Sequence, residues 1–259
     1  METPDTHIAL TLFSINKYCK TESDLDKSLD KLCKIGYQSV QISGIPLPYD
    51  MIHKQLESHG LYCCATHDSL PNLFEGDIQK VIEKQKALEC DYVALGCPPD
   101  EWHNPKKFLE LAKLFNEKSA ILAKEGIRLG YHNHNFEFDK HDTPSTLLDL
   151  LYSNTDPKTV CAELDLHWVT RGGGSPVVWL NKLAGRTPVI HFKDFLTIER
   201  EPHFCEIGEG NMDWQGILTA CQNTRVRWYV IEQDEPFKDH DIFDSVKISY
   251  DNLKRLGVK

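Results

Sequence analysis

Histidine and carboxylate residues recur directly after short apolar segments in the second half of this sequence. Four such runs read HNHNFE at 132–137, ELDLHW at 163–168, HFKD at 191–194 and EQDE at 232–235. Imidazole and carboxylate together are the ligands that borderline divalent metals prefer, and they suit Zn, Mn or Co better than Mg alone. If the fold brings the four runs together, they predict a site for a divalent cation.

Each run also has an ordinary structural explanation. A single carboxylate after a strand is commonly a helix cap, which would suffice for Asp68 and Asp194. Trp168 could belong to the core, and Lys193 could begin an exposed loop. The cation site therefore depends on the convergence of all four runs.

Eight short segments rich in Val, Ile, Leu and Tyr precede or separate these runs and predict buried strands. They lack strict alternation, as strands buried on both faces do. The predicted strands are Ile8–Phe13, Ser39–Ser43, Tyr62–His67, Tyr92–Gly96, Arg128–His134, Val160–Leu164, Val189–Phe192 and Trp228–Ile231.

Helical periodicity fills the intervals between the strands. Leucines recur at three- and four-residue spacing before Gly36, and the segment 105–125 repeats this pattern before Gly126. The apolar positions from Ile242 to Leu256 predict a closing helix. Eight strand–helix units in 259 residues, with no glycine in the loop SINKYCK after the first strand, favour a (β/α)8 TIM barrel over an open sheet. We expect one domain over residues 1–259.

Composition narrows the range of partners. Asp and Glu outnumber Lys and Arg by 39 to 29, which gives a formal net charge of -10 and disfavours nucleic acid as a ligand. No apolar run is long enough to span a bilayer, and the first residues, METPDTH, do not resemble a secretory signal. Nine cysteines without a CxxC pair are typical of reduced thiols, so we expect a cytoplasmic protein that binds neither membrane nor nucleic acid.

Five ordered segments resemble the sugar phosphate isomerase/epimerase family, which has xylose-isomerase-like barrels and is related to endonuclease IV and to inosose isomerases and dehydratases. The segments are LGYHNHNFEF (129–138), ELDLHWV (163–169), AGRTPVIHFKD (184–194), GEGNMDW (208–214) and WYVIEQD (228–234). The resemblance covers the C-terminal half closely. The N-terminal half matches only in its strand–helix rhythm and in short runs such as IGYQSVQI.

The resemblance implies one divalent ion, Mn, Zn, Co or Mg, held by the ends of the last four strands. Asp165, His191 and Glu232 match three of the family's ligands. Many relatives have a glutamate at the fifth strand, where the simplest register here places His132. The fourth ligand therefore stays open among His132, His134 and Glu137.

The resemblance also implies residues that handle the substrate. Lys193 follows His191 by two positions and would stabilise an enolate or bind a substrate oxygen. His67, His134 and Trp168 would border the substrate. Glu209 would do so too, in a glycine-flanked turn that turn chemistry alone also explains.

The expected reaction is metal-assisted proton abstraction beside the carbonyl of a small sugar or keto-sugar, catalysed by an isomerase or epimerase. Glu232 is the first candidate for the base, and Glu137 and His132 are the others. A dehydratase or β-eliminating lyase shares the first step and stays open, as does a non-catalytic sugar-binding barrel. An endonuclease IV-like phosphodiesterase is disfavoured by the net charge of -10. The oligomeric state, including a homo-oligomer, is left open.

Overall fold

The computed structural model describes residues 7–259 and contains a closed barrel of eight parallel strands. The barrel strands are β1 (Ile8–Thr11), β2 (Ser39–Ile42), β3 (Tyr62–Asp68), β4 (Tyr92–Leu95), β5 (Arg128–His132), β6 (Val160–Asp165), β7 (Val189–Phe192) and β10 (Trp228–Ile231), whereas β8 (Asp194–Ile198) and β9 (Glu201–Cys205) lie outside the barrel. Around the ring the order is β1, β10, β7, β6, β5, β4, β3, β2. The predicted (β/α)8 TIM barrel is confirmed.

Helices follow the barrel strands. They are α1 (Glu22–Ile35), α2 (Tyr49–His59), α3 (Ile78–Ala87), α4 (Pro105–Lys124), α5 (Leu147–Ser153), α6 (Leu166–Arg171), α7 (Pro176–Lys182), α8 (Trp214–Thr224) and α9 (Ile242–Arg255). Short turns of 3₁₀ or π helix cover Leu12–Tyr18, Pro71–Glu75, Asp100–Trp102 and Phe136–Phe138.

Local sequence accounts for the bounds of the two best-predicted helices. The Thr21 hydroxyl caps α1 by accepting from the Asp24 amide, and Gly36 ends it in the left-handed conformation at φ 118°. Asn104 caps α4 through the Lys107 amide, and Pro105 occupies the first turn. Both helices bury the apolar side that the periodicity predicted.

Two apolar clusters stabilise the barrel. The larger one joins the strands to the surrounding helices. The smaller one consists of strand residues alone and fills the interior away from the polar groups; it comprises Ala9, Cys64, Ala65, Tyr92, Ala94, Val189, Trp228 and Val230. A packed floor of this kind leaves the polar strand ends as the accessible part of the barrel axis.

The sequence-based prediction missed two strands and misplaced some strand ends. An antiparallel hairpin of β8 (Asp194–Ile198) and β9 (Glu201–Cys205) follows β7. Strand β1 ends at Thr11 instead of Phe13, because a 3₁₀ turn begins at Leu12. Strand β5 ends at His132 instead of His134.

The prediction that the chain has no secretory signal rests mainly on residues 1–6, which lie outside the described part of the chain. Among residues 7–259, none of the helices has both the length and the apolar composition needed to cross a bilayer. The nine cysteines are free thiols, in agreement with their irregular spacing.

Candidate metal centre

Four predicted ligands from four neighbouring strands meet at the C-terminal end of the barrel. His132 ends β5, Asp165 ends β6, His191 lies in β7, and Glu232 directly follows β10. Each is buried, and their ligand atoms all lie within 4.8 Å of one another. Parallel strands in a closed ring direct their carboxyl ends to one axis, so residues distant in sequence become neighbours.

Asp165 carries the clearest mark of an ion-binding group. Its Oδ1 accepts from the Trp168 amide at 2.9 Å and so caps α6. Its Oδ2 is buried without a hydrogen-bond partner. Buried carboxylate oxygens normally accept hydrogen bonds, whereas this one accepts none and has the Lys193 ammonium 3.5 Å away. It therefore fits a divalent cation, as does the imidazole and carboxylate chemistry of the four groups.

A second buried cluster lies beside this one and was not predicted. Glu163 of β6 contacts the Nε2 atoms of His67 at 2.5 Å and of His191 at 3.1 Å. Its two oxygens also accept from Gln41 Nε2, each at 3.1 Å. The sequence did contain a signal, since a charged residue inside an apolar strand is costly unless it is paired.

Lys193 links the carboxylates at the mouth. Although β7 ends one residue before it, its Nζ lies 3.0 Å from Glu232, 2.7 Å from Asp234 and 3.5 Å from Asp165. Lys193 itself is almost fully buried. The Lys193 ammonium therefore lies at the same cluster as His191, which precedes it by two residues.

Burial and charge perturb the titration of these groups strongly. Burial alone would lower the pKa of His191, but the Glu232 and Glu163 carboxylates outweigh it and raise the pKa to about 10. Burial raises the pKa of Asp165 to about 6, against the opposing charge of Lys193. Perturbed groups that share a cleft are typical of functional sites.

A cleft of about 230 Å³ opens onto the cluster. It is lined by Phe13, Ser43, His67, Gly96, Cys97, His132, His134 and Glu232. Burial lowers the pKa of His134 to about 4, so its imidazole is neutral at pH 7. The Trp168 ring lies beside the cleft, with its centroid 6.1 Å from that of His134 and 5.0 Å from Lys193 Nζ.

Two other predicted site residues face elsewhere. Glu137 is fully buried, and its carboxylate accepts from the Tyr131 hydroxyl at 2.6 Å and from the His134 amide. Glu209 is exposed, and its carboxylate accepts from Asn252 Nδ2 at 2.9 Å. Neither belongs to the cluster of potential ligands among the described residues.

Asp194 does not cap a helix, contrary to its simplest interpretation, because it begins the hairpin strand β8. Its buried carboxylate accepts from the amides of Gly208 at 3.0 Å and Gly210 at 3.2 Å, and from Trp214 Nε1 at 2.6 Å. A Cβ on Gly210 would collide with Asp194. The backbone of this glycine-rich turn therefore approaches a side chain of the same protein.

Comparison with known proteins agrees with this architecture. A family described as the xylose isomerase-like TIM barrel matches residues 29–242. An inosose dehydratase of Lactiplantibacillus plantarum is 24% identical, over 90% of this chain and 89% of that protein.

The fold of this chain also resembles those of solved structures. A sugar phosphate isomerase/epimerase from Parabacteroides distasonis has a TM-score of 0.79 at 24% identity, over 99% of this chain and 96% of that one. An L-ribulose 3-epimerase has a TM-score of 0.68 at 15% identity, over 96% and 95% of the two chains. At these identities the likeness is one of fold.

Proposed function

Since the chain belongs to the xylose isomerase-like TIM barrel family, we propose that it is a divalent-metal-dependent isomerase or epimerase of a small sugar or keto-sugar. The observation that carries the proposal is the convergence of four buried potential ligands, in which Asp165 Oδ2 accepts no hydrogen bond; they are His132, Asp165, His191 and Glu232. We propose His132 for the open fourth position, because its strand ends inside the cluster. The Glu137 carboxylate instead accepts from Tyr131, and His134 lies outside the cluster.

A cation held by these four residues would supply Lewis acidity, which makes a proton beside a substrate carbonyl easier to remove. Glu232 lines the cleft and is the candidate base for that proton. Lys193 holds its ammonium 3.0 Å from Glu232, where it would stabilise negative charge that develops on a substrate oxygen. His134 lines the same cleft and would bind a substrate hydroxyl group. His67, whose two ring nitrogens contact Ser43 and Glu163, would border the substrate.

The size of the cleft supports a small substrate. Its volume of about 230 Å³ lies below the roughly 300–1,000 Å³ typical of pockets for drug-sized ligands. The side chains nearest the cleft mix imidazole, hydroxyl and carboxylate groups with one aromatic ring, Phe13. This lining suits a single sugar ring or an open-chain ketose.

A dehydratase is the second candidate, and the observation that favours it is the similarity to an inosose dehydratase over 90% of the chain. Both reactions begin by removing a proton beside a carbonyl, and they differ in whether a hydroxyl group then leaves. The same residues serve either outcome.

The test is metal analysis followed by turnover of ketoses and keto-inositols in D₂O. We expect about one divalent ion per chain, activity that is lost with EDTA and restored by Mn²⁺, and deuterium on the carbon beside the carbonyl. An isomerase or epimerase returns a sugar with the formula of the substrate apart from the deuterium label. A dehydratase instead releases water and forms an unsaturated ketone.

Asp165→Asn provides a sharp variant, because asparagine still caps α6 but no longer offers an anionic ligand. Asp213→Asn is the matched control, since Asp213 caps α8 in the same manner. We expect metal loss only in D165N. Full activity in the presence of chelator, or equal metal content in both variants, would refute the proposal.

A further inference from the structure

Glu163 lies at the centre of the second buried cluster, two residues before Asp165 on the same strand. Because side chains alternate along a strand, both carboxylates point into the barrel, with Asp165 nearer the mouth. Strand β6 lies between β5 and β7, which carry His132 and His191. Glu163 therefore sits where it can contact both of these imidazoles.

The contacts of Glu163 are all with nitrogen atoms. Its carboxylate, with no exposed surface, lies 3.1 Å from His191 Nε2 and 3.4 Å from His132 Nδ1. Gln41 donates to both of its oxygens, and His67 Nε2 approaches to 2.5 Å. A buried carboxylate destabilises the folded state unless such partners compensate its charge, so these contacts are what allow Glu163 to occupy this position.

The two clusters differ in how their oxygens are satisfied. Both Glu163 oxygens have hydrogen-bond partners, whereas Asp165 Oδ2 has none. The Asp165 oxygen, which accepts no hydrogen bond, lies on the side where we place the cation. The Glu163 carboxylate, whose two oxygens both accept hydrogen bonds, lies on the opposite side of the His191 ring, where it can orient this predicted ligand.

The His191 ring connects the two sides. Its Nδ1 lies 3.0 Å from Glu232 Oε2, among the predicted ligands. Its Nε2 lies 2.7 Å from Gln41 Oε1 and 3.1 Å from Glu163 Oε1. If a cation replaced the proton on Nδ1, the two acceptors at Nε2 would keep the other proton there, as acceptors that contact metal-bound histidines commonly do.

We propose that Glu163, together with Gln41, is the positioning residue of the metal centre. It fixes the tautomer and the ring orientation of His191 and lies 3.4 Å from His132 Nδ1, without binding the cation itself. This inference rests on the proposed metal-dependent function. It goes beyond that function by assigning a role to two residues that are not ligands.

The test compares Co²⁺ binding by the wild-type protein, Glu163→Gln, Gln41→Leu and Glu206→Gln. The last variant is the control, because Glu206 is also a buried carboxylate paired with a histidine, His240, but lies outside both clusters. Binding is measured by competition with a chelator, and the visible absorption of bound Co²⁺ reports ligand geometry. Urea unfolding of each variant shows that it is folded.

We expect one Co²⁺ per wild-type chain and about 10–100-fold weaker binding in E163Q and Q41L, with altered absorption bands. E206Q should match the wild type. If E163Q does not fold, Q41L alone decides the outcome by the same criterion.

Three results would overturn the inference, and they are distinguishable. Unchanged affinity and absorption in E163Q and Q41L would show that neither residue positions a ligand. Two ions in the wild type, one of them lost in E163Q, would make Glu163 a ligand. No Co²⁺ binding by the wild-type protein would remove the proposed function itself.

Discussion

The carboxylate of Asp194 should stabilise the protein by binding the turn at 208–214 to the hairpin strand β8. Its shortest contact is the 2.6 Å hydrogen bond from Trp214 Nε1, and Trp214 is buried. Asp194→Ala leaves that indole N–H without a partner, which costs about 1–3 kcal/mol. The amides of Gly208 and Gly210 are more accessible to water and add less.

We therefore expect D194A to lower the free energy of unfolding by about 2–4 kcal/mol, measured by urea denaturation. The double-mutant cycle with Trp214→Phe isolates the shared hydrogen bond. Because a bond to a charged acceptor is worth about 1.5–3 kcal/mol, D194A should cost less by that amount in the W214F background.

Asp194→Asn serves as the conservative comparison, since it keeps one acceptor oxygen and should fall between the wild type and D194A. Additive effects of D194A and W214F, within about 0.5 kcal/mol, would show that the two side chains act independently. That result would refute the assignment of the glycine-rich turn to an internal structural role.

Two further predictions test buried positions near the site. Burial raises the pKa of Glu137 from its ordinary 4.5 to about 8, so the folded protein binds more protons than the unfolded chain between these values and loses stability as pH rises. From pH 6 to 9 this loss amounts to about 2–3 kcal/mol, and Glu137→Gln should flatten the urea-measured profile by that amount; parallel profiles would contradict the shift. Gly130→Ala places a methyl group against the buried Tyr92 hydroxyl and should cost about 1–3 kcal/mol. The same change at Gly126, an exposed glycine at φ 75° with open space around its Cα, measures backbone strain without a clash, and unchanged stability of G130A would contradict the predicted clash at Gly130.

The barrel and its mouth were predictable because buried parallel strands and their polar ends leave a strong local pattern. His132, Asp165 and His191 each terminate or occupy an apolar segment, and ring closure alone suffices to bring them together. No side-chain detail was needed for that step.

The hairpin of β8 and β9 lacked the usual signal for such a turn. Its two connecting residues, Glu199 and Arg200, both have positive φ values, of 51° and 74°. A two-residue turn with this geometry normally contains Asn or Gly, so the sequence ER gives no indication of it. Tertiary contacts of the hairpin, including those of Asp194, must support the strained turn.

The different roles of Glu163 and Asp165 could not be predicted from the pattern of strand β6. Both side chains are carboxylates on one face of β6, two residues apart, so the strand pattern alone does not show which of them is the ligand. What separates them is the neighbouring side chains: Gln41 and His67 satisfy Glu163, whereas one oxygen of Asp165 has no hydrogen-bond partner. Gln41 and His67 come from β2 and β3, on the opposite side of the ring order, so only the closed barrel supplies the contacts that distinguish a supporting carboxylate from a ligand.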